Sequence, residues 1–177
     1  AFDEEGYYCF GDALRFADPD DPAAGFVFDG RTAENFKLDT GTWVNSGALR
    51  TGFIDHIGSA VKDVAIAGAD REFLGALVFP DLGALRTLSG LGEDAGAAEL
   101  FAHPAVTGFF RDKLRSLATE STGSSTLTRR MILVAPPASP ETGELTDKGS
   151  VNQRLVLRNR ADFVDELYEG SPRVIEI

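Results

Sequence analysis

The first thirty residues carry two short apolar runs, Ala13-Leu14-Arg15-Phe16 and Gly25-Phe26-Val27-Phe28, on either side of Asp18-Pro19-Asp20-Asp21-Pro22. Short apolar runs separated by Asp and Pro predict a strand–turn–strand hairpin. Two strands alone are marginal in water. Residues 1–33 are therefore expected to be disordered, or to pair with a second copy, unless another surface supports them. From Phe36 the pattern changes to alternating strands and helices. Phe36-Lys37-Leu38 and Thr42-Trp43-Val44 read as strands around a Gly turn, with Trp43 as a core residue. Asn45 or Ser46 can cap a helix that carries Leu49, Phe53, Ile54 and Ile57 on one face. Asp63-Val64-Ala65-Ile66-Ala67 and Gly75-Ala76-Leu77-Val78-Phe79 read as buried strands, the second ended by Pro80.

Helical spacing returns over 81–88 and again from Pro104, where Val106, Phe109, Phe110, Leu114 and Leu117 form a core stripe. His103 reads as the residue entering that helix. Ser121-Thr122-Gly123-Ser124-Ser125 is a polar loop and Arg130-Met131-Ile132-Leu133-Val134 a strand. A long Pro/Gly/Thr loop follows over 136–149, and one helical region over 151–168. The predicted class is α/β (α+β), a small mixed sheet flanked by helices and preceded by a β-hairpin.

The net charge of −11 disfavours nucleic acid and anionic membrane surfaces as partners. No apolar run reaches the roughly 18 residues that suggest a membrane span, and no signal-peptide pattern is present. Cys9 is the only cysteine, so no intrachain disulfide forms, and a reducing, cytoplasmic location is expected. His56 and His103 lack the spacing of a metal site. The chain opens on Ala1-Phe2-Asp3 without an initiator Met, which reads as the interior of a longer protein.

Three polar stretches remain as candidate chemistry. In Gly6-Tyr7-Tyr8-Cys9-Phe10-Gly11-Asp12, the Asp at the end of a Gly turn is an acceptor suited to paired sugar hydroxyls, or is a simple turn residue. In Gly30-Arg31-Thr32-Ala33-Glu34-Asn35-Phe36-Lys37, Arg31 offers planar donors to hydroxyl or phosphate oxygens, or forms a surface ion pair. In Leu145-Thr146-Asp147-Lys148-Gly149-Ser150-Val151-Asn152-Gln153-Arg154, Lys148 is a compact charge deliverable to a phosphate, or a solvated loop lysine.

In order and spacing, these stretches resemble the adenylate-forming (AMP-binding) superfamily of acyl-CoA synthetases, peptide-synthetase adenylation domains and luciferases. Gly-Tyr-x-x-x-Gly-Asp resembles its ribose-binding motif, Gly-Arg-x-x-Glu-x-x-Lys its hinge motif, and the third stretch occupies the place of its catalytic-lysine motif. The resemblance implies that residues 1–33 end a large N-terminal adenylation domain and that residues 34–177 are its C-terminal lid domain. It implies ATP or AMP held by Asp12 and Arg31, a pivot at Glu34, a Gly41 turn that nears the pantetheine arm of CoA, and Lys148 bridging carboxylate and α-phosphate. Mg2+ would serve the parent enzyme with ligands mostly outside this stretch.

Three features depart from the family pattern. Phe10 replaces the usual Thr, Glu34 replaces Asp at the pivot, and Gly149 follows Lys148 where the family commonly keeps Gly-Lys-x-x-Arg. The texture of the second and third stretches is most similar to feruloyl-CoA synthetases and related aryl or long-chain acid ligases. The implied function is ATP-dependent activation of a carboxylic acid and transfer to CoA, with the isolated chain inactive. A carboxylic acid reductase or luciferase-like enzyme, a binding module acting in trans, and an acidic interaction domain are the competing readings.

Overall fold

The computed structural model describes residues 2–177, with Asp29 described by its backbone alone. β1 (Asp12–Phe16) and β2 (Phe26–Arg31) form an antiparallel hairpin with an irregularity between Asp12 and Leu14. The disorder expected of residues 1–33 therefore does not hold over 12–31. Stacked rings of Phe16 and Phe26, 4.9 Å between centroids, join the strand ends near the turn. At the other end Thr32 donates twice to the Gly11 carbonyl, from its amide and its hydroxyl. The apolar side chains nonetheless stay in solvent, with Phe26 62% and Phe28 63% exposed.

β3 (Phe36–Lys37) pairs antiparallel with β4 (Trp43–Val44) around the expected Gly turn. α1 (Ser46–Ile57) follows, capped by Asn45, whose side chain accepts from the Ala48 amide. β5 (Val61–Ala67) and β6 (Leu74–Pro80) are antiparallel. α2 (Leu82–Ser89) starts at Asp81, whose carboxylate accepts from the Ala84 amide. α3 (Ala97–Ala102), absent from the sequence expectation, leads through His103 into α4 (Pro104–Glu120). His103 caps α4, its Nδ1 accepting from Ala105.

β7 (Thr128–Leu133) runs parallel to β6. The single helix expected over 151–168 is two, α5 (Gln153–Asn159) and α6 (Ala161–Glu169), broken at Arg160. The chain returns as β8 (Val174–Glu176), a further strand not expected, antiparallel to β7. The mixed sheet thus has the order β5-β6-β7-β8.

Alternation in the strands divides the core in two. Val64, Ile66, Ala76, Val78, Met131 and Leu133 face one way, into a cluster with Leu38, Val44, Phe53, Leu85, Leu100, Phe110 and Leu114. Ala65, Ala67, Leu77, Phe79, Ile132 and Val134 face the other way, against Val151, Val156 and Leu167. Successive strand residues point to opposite faces, so α1 to α4 cover one face and α5 and α6 the other. Full burial of a side chain such as Phe110 contributes about 1.5–3 kcal/mol. No helix among the described residues is long and apolar enough to cross a membrane.

Candidate functional site

The hairpin register sets Asp12 opposite Arg31. Gly11 (φ +82°) turns the chain into β1, and the two Thr32 bonds to its carbonyl fix this end of the hairpin. Asp12 and Arg31 are exposed, and among the described residues neither side chain makes a hydrogen bond or ion pair. A carboxylate and a guanidinium stand at one end of a hairpin, both open to a ligand.

Arg31 leads directly into a 3-10 turn, Thr32–Glu34. The Glu34 carbonyl accepts from the Ser46 hydroxyl at 2.7 Å, tying the turn to the start of α1. Burial pushes the Glu34 carboxyl above the usual carboxylate range; Arg31 and Arg50 oppose that shift and Asp63 adds to it. Arg50 is itself committed to Asp63 through two 2.7 Å bonds. Glu34 is therefore half-buried at a charged seam between hairpin and helix, and among the described residues no cation hydrogen-bonds to its carboxylate.

Gly41 occupies the turn between β3 and β4 with φ +81°, and its amide donates to Leu38. A bulkier residue would be strained at that φ. Thr42 in the same turn meets Ser124 at 3.5 Å. The 121–126 loop is closed on itself by bonds among Ser121, Gly123 and Thr126. Between this loop, β4 and α1 lies a cavity of about 420 Å³ lined by Trp43, Leu49, Phe53 and Leu117, with Ser125 and Thr126 among its polar residues. Trp43 is not the core residue expected: it is 57% exposed, because Val44, its neighbour in a two-residue strand, takes the inward position. Its ring instead receives the Lys37 ammonium at 5.5 Å.

Lys148 sits in the turn of a small loop. The Leu145↔Val151 bridge closes the base, Thr146 donates its amide to Ser150, and Gly149 donates to Thr146. The Lys148 side chain is exposed and without a hydrogen bond or ion pair among the described residues.

The structure brings Asp12, Arg31 and Glu34 into one neighbourhood, and holds Gly41 and Lys148 apart from each other. The strands flanking Gly41 send Leu38 and Val44 into one core cluster. The loop of Lys148 is anchored by Val151 and Leu145 in the cluster on the opposite face of the sheet.

Residues beyond the sequence expectation fasten that loop. Arg160 makes a two-pronged pair with Glu144, at 2.9 and 2.8 Å, with side chains only 9% and 3% exposed. Gln153 is buried and accepts from the Ile66 amide at 2.9 Å, pinning the start of α5 to the sheet. Gln153 lies inside the third polar stretch, and its place among apolar helical positions was the available signal. Glu144 carried none, since its partner is sixteen residues away.

Solved structures share this fold. The adenylation domain of a carboxylate reductase from Mycobacterium chelonae superposes with a TM-score of 0.70 at 23% identity, over 96% of this chain and 24% of that one. The A domain of a carboxylic acid reductase from Segniliparus rugosus, in complex with AMP and a co-purified carboxylic acid, gives 0.69 at 26% identity, over 95% and 24%. The A-PCP didomain of that organism's enzyme, in complex with AMP, gives 0.68 at 26%, over 94% and 21%. The chain spans about a quarter of the length of these relatives. No curated protein matches the sequence. Residues 37–172 match the AMP-binding enzyme C-terminal domain, and the chain belongs to that family.

Proposed function

We propose that this chain carries the moving part of an enzyme that joins a carboxylic acid to AMP and then passes the acyl group to a thiol. Residues 1–33 end the large domain, residues 34–177 form the lid, and Glu34 marks the pivot. The observation that carries this reading is the anchoring of Gly41 and Lys148 in core clusters on opposite faces of one sheet. A lid that rotates as a body presents one face or the other to a fixed site, so a single site serves two steps.

With one face inward, Lys148 supplies positive charge between the acid carboxylate and the α-phosphate of ATP. Carboxylate oxygen attacks the α-phosphorus, and pyrophosphate leaves. With the other face inward, the Gly41 turn and the cavity beside Trp43 line the approach of the thiol. The thiol sulfur attacks the acyl carbon, a thioester forms, and AMP leaves. Asp12 accepts from ribose hydroxyls and Arg31 donates to ribose or phosphate oxygens; that neither side chain makes a hydrogen bond or ion pair among the described residues fits that role. Mg2+ in this reading serves the parent enzyme, with ligands mostly outside this chain. The partner of the lid in this reading is the large N-terminal domain of the same protein.

The thiol is CoA in this reading and the acid is aromatic, such as ferulate, or fatty. The second reading is a carboxylic acid reductase, in which the acyl group goes to a carrier-bound thiol before reduction. The Segniliparus rugosus A domain at 26% identity, in complex with AMP and a carboxylic acid, favours it. Full-length protein assayed for acid-dependent ATP–pyrophosphate exchange, then for acyl-CoA by chromatography, separates the two. Acyl-CoA supports the ligase; exchange without acyl-CoA, with acylation of a carrier thiol, supports the reductase. Absence of acid-dependent exchange overturns both. The isolated 177-residue chain is expected to show none.

A further inference from the structure

We infer that Glu144 and Arg160 are positioning residues that hold the loop carrying Lys148 in register with the sheet for the adenylation step. This inference rests on the reading of Lys148 given above.

Arg160 stands at the break between α5 and α6, with φ −114° and ψ 36°. Its guanidinium spends its donors on the two ends of one loop. Nε and Nη2 donate to the Glu144 carboxylate, while Nη1 and Nη2 donate to the carbonyls of Pro136 and Pro137 at 2.8 and 3.3 Å. Its Cζ lies over the Phe79 ring, 4.9 Å from the centroid, so a cation–π contact adds to the bonds. Glu144 is the last residue before the Leu145↔Val151 bridge, and its own carbonyl accepts from the Asn152 amide at 2.8 Å. Asn159 adds a bond to the Thr142 carbonyl. Arg160 thus holds the loop entry and Glu144 at the loop base, the Glu144 main chain holds the exit, and the Lys148 tip stays exposed.

A buried ion pair adds little net stability over a well-packed apolar pair, since both charges lose their hydration. What this one supplies is geometry: a planar fork accepts only a narrow range of carboxylate positions. A lysine at 160 keeps the charge and loses the fork. A displacement of about 1 Å at a catalytic group can cost on the order of 100-fold in rate.

The test uses the full-length enzyme and two half-reactions: acyl-adenylate formation, and thiol acylation from supplied acyl-adenylate. Lys148→Ala is the reference and is expected to lose the first and keep the second. Arg160→Lys and Glu144→Asp are expected to slow adenylation about 10- to 100-fold and leave thiol acylation within about two-fold. Hydrogen exchange at the amides of 145–151 in the 177-residue chain is expected to quicken in both variants. If Lys148→Ala is selective but the two variants impair both half-reactions equally, or neither, the positioning role is refuted. If Lys148→Ala is not itself selective, the reading of the loop fails first and the inference fails with it.

Discussion

Gly47 in the first turn of α1 lies against Gly30 of β2 so closely that a β-carbon on Gly47 would stand 2.7 Å from the Gly30 Cα. Gly30 itself has φ +91°. Together with the Ser46–Glu34 bond, this backbone contact is where the hairpin meets the start of α1. The contacting atoms are main chain, so a side chain there has no flexible end to push aside. Gly47→Ala is expected to cost about 1–3 kcal/mol by overpacking and to raise hydrogen exchange in β2. Gly52, on the same helix, has open space around it. Gly52→Ala should stabilise by about 0.5–1 kcal/mol, because the helix no longer bears glycine's backbone entropy. Equal effects of the two substitutions in thermal melts would falsify the contact.

Glu34 tests the same seam by pH. Its carboxyl is held above the ordinary value of 4.5 chiefly by burial. A raised carboxyl pKa means that ionisation opposes folding. The penalty is absent below 4.5, where the group is protonated folded or unfolded, and is complete once the pH has passed the folded value. Glu34→Gln removes the charge and keeps the shape. The variant is expected to melt higher than the wild type at pH 7, with the gain shrinking as the pH approaches 4.5. A gain that persists unchanged into acid would rule out this origin.

Glu144 has the opposite sign. The Arg160 guanidinium holds its carboxyl below the usual range, against the effect of burial. A lowered carboxyl pKa contributes stability above 4.5 that is lost as the pH falls through the folded value. Arg160→Ala leaves a buried carboxylate without its partner and should cost about 3–5 kcal/mol at neutral pH. Glu144→Gln should trail the wild type most at pH 7, with the two curves converging in acid. Parallel curves down to pH 3 (about 1.5 units under the reference value) would show that the pair is not the cause.

Tyr168 illustrates a neutral counterpart on the same face of the sheet. Its hydroxyl donates to the Phe73 carbonyl at 3.0 Å, and burial pushes its pKa up to about 12. Tyr168→Phe should cost about 1 kcal/mol, the ordinary net value of one hydrogen bond, as measured by urea unfolding. Because the phenol stays neutral, that cost should be flat from pH 6 to 9. A cost that changes across this range would count against a neutral donor.

What could be read from the sequence was what local chemistry decides. Asn45, Asp81 and His103 announce helix starts because a cap needs only its own next few residues. β6, and β5 from Val64 to Ala67, are continuous apolar runs because both their faces are covered. The break at Arg160 could not be seen, since Val156, Phe163, Val164 and Leu167 keep an apolar spacing across it, and the partner of Arg160, Glu144, lies in a remote loop. β8 is three residues long behind Pro172 and forms only because β7 offers an open edge. The candidate residues were legible as motif members, but the pairing of Asp12 with Arg31 depends on hairpin register through an irregular step. The opposition of Gly41 and Lys148 depends on which sheet face each flanking segment packs against.

The exposed aromatic face of the hairpin gives the last prediction. Phe26 and Phe28 alternate with the half-buried Val27, so they project together on one side of β2. In the 177-residue chain that side meets water, and Phe28→Thr should change stability by no more than about 0.5 kcal/mol. If residues 1–33 belong to a larger domain, the same ring is core there, and its truncation should cost about 3–5 kcal/mol in the full-length protein. The isolated chain should meanwhile self-associate through this face, and Phe28→Thr should shift its sedimentation toward monomer. The difference between the two contexts is the informative quantity, because a ring that merely decorates a surface strand costs the same in both. Equal costs, with unchanged sedimentation, would leave the hairpin an independent element and detach residues 1–33 from the proposed large domain.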